Sequence, residues 1–522
     1  MSVRIGLVLT ICFFSASVNG QQEDAVIRSF RPVESKDGEL GSTMTLQELK
    51  QDKGTPRRFQ ESKPFDVQPA NEPNPPLSIR FYPANWELKP GQALLHFTRA
   101  QMLFFEYPAE KRIQWQSNEW QRGEGEKAIP TIDEVGAVVT SLQPIFDELH
   151  ELAMSEDFQW DHRMRDLRGP DVYMYLLPDV QRVRTMARLL ILRIRVQLSQ
   201  NDFEGALSSI SDGLRLAEFV GQGETLIQKL VGIAISSMMR DQISRAIAKP
   251  GCPNLYWALA TLPRPVIDIG DSVMWELNNI TKVLPALADA ESESWSDAEA
   301  SRQWSGALED LGMLSGNGVI GDSDFRIALA IASVTFVDSA RERLIANGFS
   351  KERLNEIPGL QIVLIDAARE LRRVGDQLGK AYLLPTELAR PILKRQDEEF
   401  QAWLAKNRNT SVAAAMGGVL YPAVLQAKEA ETRTAMTYNR LMTLEALRMH
   451  AATHKGQLPA SLDLLQPVPA MPDSFTGEQF EYQVEQIEGK QLVTLKAEGP
   501  TNYKPMQTLR VTFPKPAGGA GR

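Results

Sequence analysis

The chain is 522 residues long, with 57 Lys and Arg against 66 Asp and Glu, a formal net charge of −9 at pH 7. Its 43% hydrophobic and 24% charged residues suit a globular protein, and the length allows roughly two to four domains' worth of core. The acidic balance argues against nucleic acid and anionic membranes as partners, and with only Cys12 and Cys252 the chain has no disulfide framework.

In chain order, Arg4 supplies one positive charge, Ile5 to Phe14 form an apolar run, and small or polar residues continue to Gly20. Residues 1–20 read as a cleavable export signal, with Val18 and Gly20 suiting the −3 and −1 positions and cleavage expected before Gln21. The alternative, a retained anchor, asks for a run of ~20 residues. Cleavage removes Arg4 and Cys12, leaving a net charge of −10 and Cys252 as the lone thiol. The expected location is the periplasm or cell surface, without stable membrane insertion. Residues 21–76 are polar and broken by Pro32, Pro56, Pro64, Pro69, Pro73, Pro75 and Pro76. They read as a disordered tether with at most a short helix at Leu46–Gln51.

From 77 to 410 the periodicity predicts a body of α–α hairpins. Pro90-Gly91 is expected to open a helix running to Glu106, and another runs from Thr131 past Pro144 to Ala153. The most apolar helix starts at Pro178 and ends at Leu198; the next long one spans Leu226 to Ala248. Further helices are expected at 268–282, 297–311, 323–346, 359–380 and 388–406. Residues 411–513 read as one long helix, Ser411 to Thr453, followed by a small β-unit. Its hairpin joins Phe480–Val484 to Gln491–Lys496 through Glu488-Gly489-Lys490, and Leu509–Phe513 adds a third strand. Residues 514–522 read as a frayed tail. The expected class is mainly α, with a small C-terminal β-hairpin unit.

Chemistry-bearing residues are sparse. Gly316-x-Gly318-x-x-Gly321 spells a dinucleotide fingerprint but lacks the preceding strand that its mechanism needs. No cofactor is therefore expected. His450 and His454, four apart on one helix, are the weak candidates for a metal pair, set against solvated histidines at a helix end. Asp147 and His150 share a helix face without the second pair that a di-metal bundle uses. Asp161 and His162, following Trp160, are the weak catalytic candidates, as a carboxylate beside an imidazole base. Cys252 has no neighbour in sequence that lowers its pKa. Arg184, Arg188 and Arg195 form one stripe on the apolar helix, and Arg182 and Arg193 another. They are expected to flank the buried face and pair with acids on neighbours; the rival reading is an anion-binding surface.

Two local patterns carry resemblances. Asn201-Asp202-Phe203-Glu204-Gly205-Ala206, with Ile210 and Gly213, resembles the turn and second helix of a tetratricopeptide-repeat pair over about 187–220. Ile194 and Gln197 depart from that pattern, and no second copy follows at its period. Leu444–His454, Gly456–Leu462, Pro472–Gly477 and the hairpin resemble a pseudopilin-related layout at the wrong end of the chain, with no processing site before it. This layout, together with Gly223–Ile227, Val231–Ala234 and Leu255–Leu259, resembles an uncharacterised group of exported, mostly helical planctomycete-type proteins. The resemblance implies export and fold, but no activity. The functional expectation is an exported, non-catalytic scaffold or partner-binding protein, with protein as the partner. Its rivals are a hydrolase assembled from distant residues around His162, and a pseudopilin-related component of a secretion or surface assembly.

Overall fold

The computed structural model describes residues 64–123, 128–160, 166–169, 172, 177–315, 323–384, 386–407, 410–498 and 508–516. The export signal, the Leu46–Gln51 helix and the glycine run 316–321 lie outside the described residues. The fold is mainly α, with a small four-stranded sheet near the C-terminus. Among the described residues, no helix is long and apolar enough to cross a membrane.

In chain order, strands β1 (Phe65–Asp66) and β2 (Lys89–Gln92) precede α1 (Ala93–Phe105), α2 (Ala109–Gln114), α3 (Asn118–Arg122), α4 (Ile132–Ser141), α5 (Gln143–Ala153) and β3 (Ser155–Asp157). Helices α6 (Leu177–Ser199), α7 (Phe203–Gly221), α8 (Leu226–Ile247) and α9 (Tyr256–Ala260) follow. Next come α10 (Gly270–Asn278), α11 (Ile280–Val283), α12 (Pro285–Ser292), α13 (Asp297–Ser315), α14 (Ser323–Ala346), α15 (Lys351–Asn355), α16 (Gly359–Gly379), α17 (Thr386–Asn407) and α18 (Val412–Leu420). The chain closes with α19 (Pro422–Thr453), β4 (Glu481–Ile487), β5 (Lys490–Lys496) and β6 (Thr508–Pro514).

Four expectations are corrected. Pro90-Gly91 does not open the first helix, because the backbone there pairs with β3, with Lys89 N–H donating to Met154 O at 2.8 Å. The expected 131–153 helix divides at Leu142: a capping box of Thr131 and Glu134 starts α4, and Pro144, which has no N–H to continue the ladder, sits in the first turn of α5. The long helix from Ser411 is likewise split at Tyr421 before Pro422. The tether cannot extend to residue 76, because β1 pairs parallel with β6 in register Phe65↔Val511.

The described residues form two compact units, so a linear boundary at 410 does not hold: one is drawn from 162–177 and 270–428, the other from 59–161, 178–269 and 429–522. In the first unit α16 is central and touches α10, α12, α13, α14 and α18. Its buried Asp366 receives Arg343 at 2.7 Å, and Tyr421 donates its hydroxyl to Leu371 O at 2.7 Å.

In the second unit α7 packs on both α8 and α5, and α5 packs on α1. A Cβ on Gly232 of α8 would stand 2.8 Å from Ala217 O, so glycine permits the close approach to α7. Phe97, Phe146 and Phe219 are almost fully buried here, each contributing roughly 1.5–3 kcal/mol by area. The sheet order is β1-β6-β5-β4. Its hairpin turns on Glu488 and Gly489, both at positive φ (49° and 78°), the sign that a two-residue hairpin turn of matching twist requires.

Candidate functional site

Helix α1 presents three different faces. Ala93, Phe97, Ala100, Gln101 and Phe104 are buried. On the opposite side Leu95, Met102 and Phe105 are 50%, 67% and 48% exposed. With exposed Thr98 they recur at i, i+3, i+7 and i+10, which is the spacing of a helix-pairing seam. Large apolar side chains aligned this way on the outside of a folded unit mark an interaction face.

Charged groups flank the seam. On one shoulder His96 bonds through Nδ1 to Glu148 of α5 at 2.7 Å. Further along α5, Lys89 Nζ donates to both oxygens of Glu151, at 2.6 and 2.8 Å, which holds that carboxyl below its usual range. On the other shoulder the Arg112 and Arg182 guanidinium groups lie 4.7 and 5.5 Å from the Phe105 ring centre. These cation–π contacts stiffen an exposed aromatic ring.

His150 on α5 does not pair with Asp147. Asp147 accepts from Gln143 at 2.6 Å, whereas His150 Nδ1 meets Asp212 of α7 at 3.0 Å. The Asp212 side chain is 6% exposed and that of His150 48%, so a buried carboxylate orients a half-exposed ring. The Asp212 hydrogen bond raises the His150 pKa against partial burial. Chemically this is an oriented acid–base pair. The neighbouring Ser211 hydroxyl is committed to Phe81 O at 2.8 Å.

The remaining sequence candidates are scattered. Asp161 and His162 lie outside the described residues. Trp160 packs into the core, stacked on Phe219 at 4.3 Å, with its indole N–H donating to Phe219 O at 2.7 Å. The His450 and His454 rings stack nearly parallel, 3.9 Å apart and 9° between planes. An ion in the plane of one ring lies out of the plane of the other, so this arrangement does not chelate. His450 Nδ1 accepts from Gln466 N–H at 3.3 Å. Among the described residues no group of three or more His, Cys, Asp or Glu is placed to hold a metal ion. Burial pushes the Cys252 thiol up to about 12, which keeps it protonated at neutral pH.

The arginine stripes also differ from expectation. Arg182 meets an acid, but Asp179 of its own helix, at 3.1 Å. Arg195 donates to the main-chain carbonyls of Trp120 and Glu119 at 2.6 and 3.3 Å. Arg193 lies over the Phe146 ring at 5.0 Å. Carbonyls and rings also occupy arginines, though more weakly than acids do, and neither is revealed by residue spacing.

Sequence reasoning missed the polar interior of α19. Glu445 and Arg448, at most 1% exposed, pair at 2.8 Å. Arg448 also donates to Cys252 O, Gln68 O and Pro253 O at 2.8, 2.8 and 3.3 Å, while Glu445 accepts Leu255 N–H at 2.7 Å. Glu431 accepts Ile269 N–H at 2.9 Å, and Thr443 accepts Met471 N–H at 3.1 Å. Helix α19 thus clamps the backbone of several distant loops. The available signal was a Glu–Arg pair at i, i+3 set among Leu444, Ala446 and Leu447.

No protein-family model, curated protein or solved structure matches the chain.

Proposed function

We propose that the chain is an exported helical scaffold that binds a partner protein through the outward face of α1. The observation that carries this reading is the exposed Leu95–Thr98–Met102–Phe105 seam. An apolar helix seam with charged shoulders suits an amphipathic helix of the partner, which would bury these side chains at matching spacing. The buried ion pair of α19 supports the scaffold half of the reading, since its donors and acceptors are spent on the chain's own loops. Export rests on the signal pattern of residues 1–20. The tetratricopeptide-like pair and the pseudopilin-like C-terminal layout are compatible with a role in assembly.

A photo-crosslinking residue at Met102, with exposed Ala402 as control, tests the reading in the source cell. The expected result is one adduct, specific to position 102, mapping to an amphipathic helical segment of another protein and lost in Leu95→Glu. The same adducts at both positions, or a crosslink only to a second copy, would overturn it.

The His150–Asp212 pair favours one alternative, a hydrolase with His150 as base. That alternative requires ester or amide hydrolysis by the purified chain that disappears in His150→Gln. An unchanged rate removes it.

A further inference from the structure

The sheet ends on a strand whose outer edge is open. β4 stands last in the order β1-β6-β5-β4, and its seven residues, Glu481–Ile487, pair with β5 in unbroken register. The opposite edge, β1, is only two residues long, and a strand so short offers little to pair with. The two-residue turn at Glu488-Gly489 makes Ile487 and Lys490 a hydrogen-bonded pair. Alternation then aims the main-chain groups of Glu481, Gln483, Glu485 and Ile487 at β5, and those of Tyr482, Val484 and Gln486 outward. Among the described residues these outward groups meet no main-chain partner. Every residue of β4 except Tyr482 is exposed, with Val484 at 36% and Ile487 at 41%.

A free edge is normally blunted by a proline, a bulge, a lysine or an inward-facing charge. β4 has none of these. Tyr482, Val484 and Gln486 share the sheet face of Val493, Leu495, Val511 and Phe513, all fully buried, and none of the three is charged. The carboxylates of Glu481 and Glu485 belong to the other face, where Lys496 holds Glu481 at 2.7 Å.

We propose that β4 pairs antiparallel with β4 of a second copy of this chain, about a two-fold axis at Val484, so that the two sheets join edge to edge. In this register Val484 faces the second copy's Val484, Tyr482 faces Gln486, Gln483 faces Glu485, and Glu481 faces Ile487. The outward groups of Tyr482, Val484 and Gln486 then exchange about six hydrogen bonds. No carboxylate faces another, and the Glu485 carboxylate meets an amide donor on Gln483. An axis at Gln483 would set Glu481 against Glu485, and an axis at Glu485 would set that residue against itself; like charges directly opposite are destabilising. An axis at Tyr482 or Gln486 leaves only the strand ends overlapping. The edge is therefore complementary to itself in one register, and a two-fold contact closes at two copies. The surface belongs to the sheet and does not depend on the partner-binding reading of α1.

The test is sedimentation velocity of the full chain from about 1 to 300 µM, a range suited to a small interface. The parent should pass reversibly from monomer to dimer mass. Val484→Pro removes an outward N–H while leaving the ladder to β5 intact, and should weaken dimerisation about tenfold or more. Val484→Lys sets two cations face to face and should weaken it similarly, so it carries the readout if Val484→Pro does not fold. Mild oxidation reads the register. Val484→Cys should yield a disulfide-linked dimer, because facing Cα atoms in such a pair lie about 5.5 Å apart. Glu481→Cys, about 20 Å from its copy in this register, should not. The native Cys252 is buried and does not compete. A parent that stays monomeric throughout, dimerisation undiminished in the folded Val484 variants, or a disulfide through Glu481→Cys and not through Val484→Cys overturns the proposal.

Discussion

Arg448 and Arg184 sit on long helices of the same unit, at 1% and 6% exposure, and the chain treats them in opposite ways. Arg448 spends its donors on Glu445 and on the carbonyls of Gln68, Cys252 and Pro253. Arg184 spends none on the described residues and shares its surroundings with a second cation. The same side chain therefore serves as a clamp in one corner and, among the described residues, donates no hydrogen bond in the other. Burial alone does not say which role an arginine has; its partners do.

The comparison breaks most easily at Arg448. Arg448→Met leaves Glu445 buried without its cation and releases three carbonyls, so a loss of about 3–5 kcal/mol is expected in denaturant unfolding. A loss below about 1 kcal/mol would show that the clamp holds nothing. A neutral buried contact provides the next step down. Thr225, fully buried, caps α8 by accepting Gln228 N–H at 3.4 Å in a reciprocal capping box. Thr225→Ala should cost about 1 kcal/mol by the same measurement.

The pair of half-exposed His150 and buried Asp212 sharpens the scale at its lower end. Its folded pKa is raised chiefly by the Asp212 hydrogen bond. The stabilisation is therefore complete below the ordinary histidine value of about 6.5 and fades as pH rises through the raised value. Asp212→Asn should lower the His150 titration followed by NMR, and should destabilise the protein more at about pH 5.5 than at about pH 8.5. The opposite pH trend would mean that Asp212 does not hold the imidazolium. The smallest effect is expected on the α1 seam. Met102→Glu should change folding stability by no more than about 0.5 kcal/mol, because Met102 is already two-thirds exposed. A larger loss would make the seam part of the core.

The sequence pattern reached the helices further than their joints. Helix α14 was expected at 323–346 and spans Ser323–Ala346, and the Glu488-Gly489 hairpin folds as its turn chemistry requires. The joints at Leu142 and Tyr421 were missed because a proline can either begin a helix or sit inside its first turn, and periodicity runs through both cases. The two-residue strand β1 was hidden for a different reason: its partner lies more than 440 residues away, and two residues carry no period. The arginine stripe on α6 was visible, whereas the Arg448 clamp was not. A stripe is a matter of residue type and spacing, but the clamp's acceptors are main-chain carbonyls, and every residue has one. Thr443 and Glu445 were silent for the same reason, since they accept backbone N–H groups of Met471 and Leu255.

The most direct test is to measure unfolding free energies of Arg448→Met and Arg184→Met side by side. Arg448, which holds Glu445 and three carbonyls, predicts a large loss on replacement. Arg184, which donates no hydrogen bond to the described residues, predicts little or none. Equal losses for the two variants would contradict the distinction.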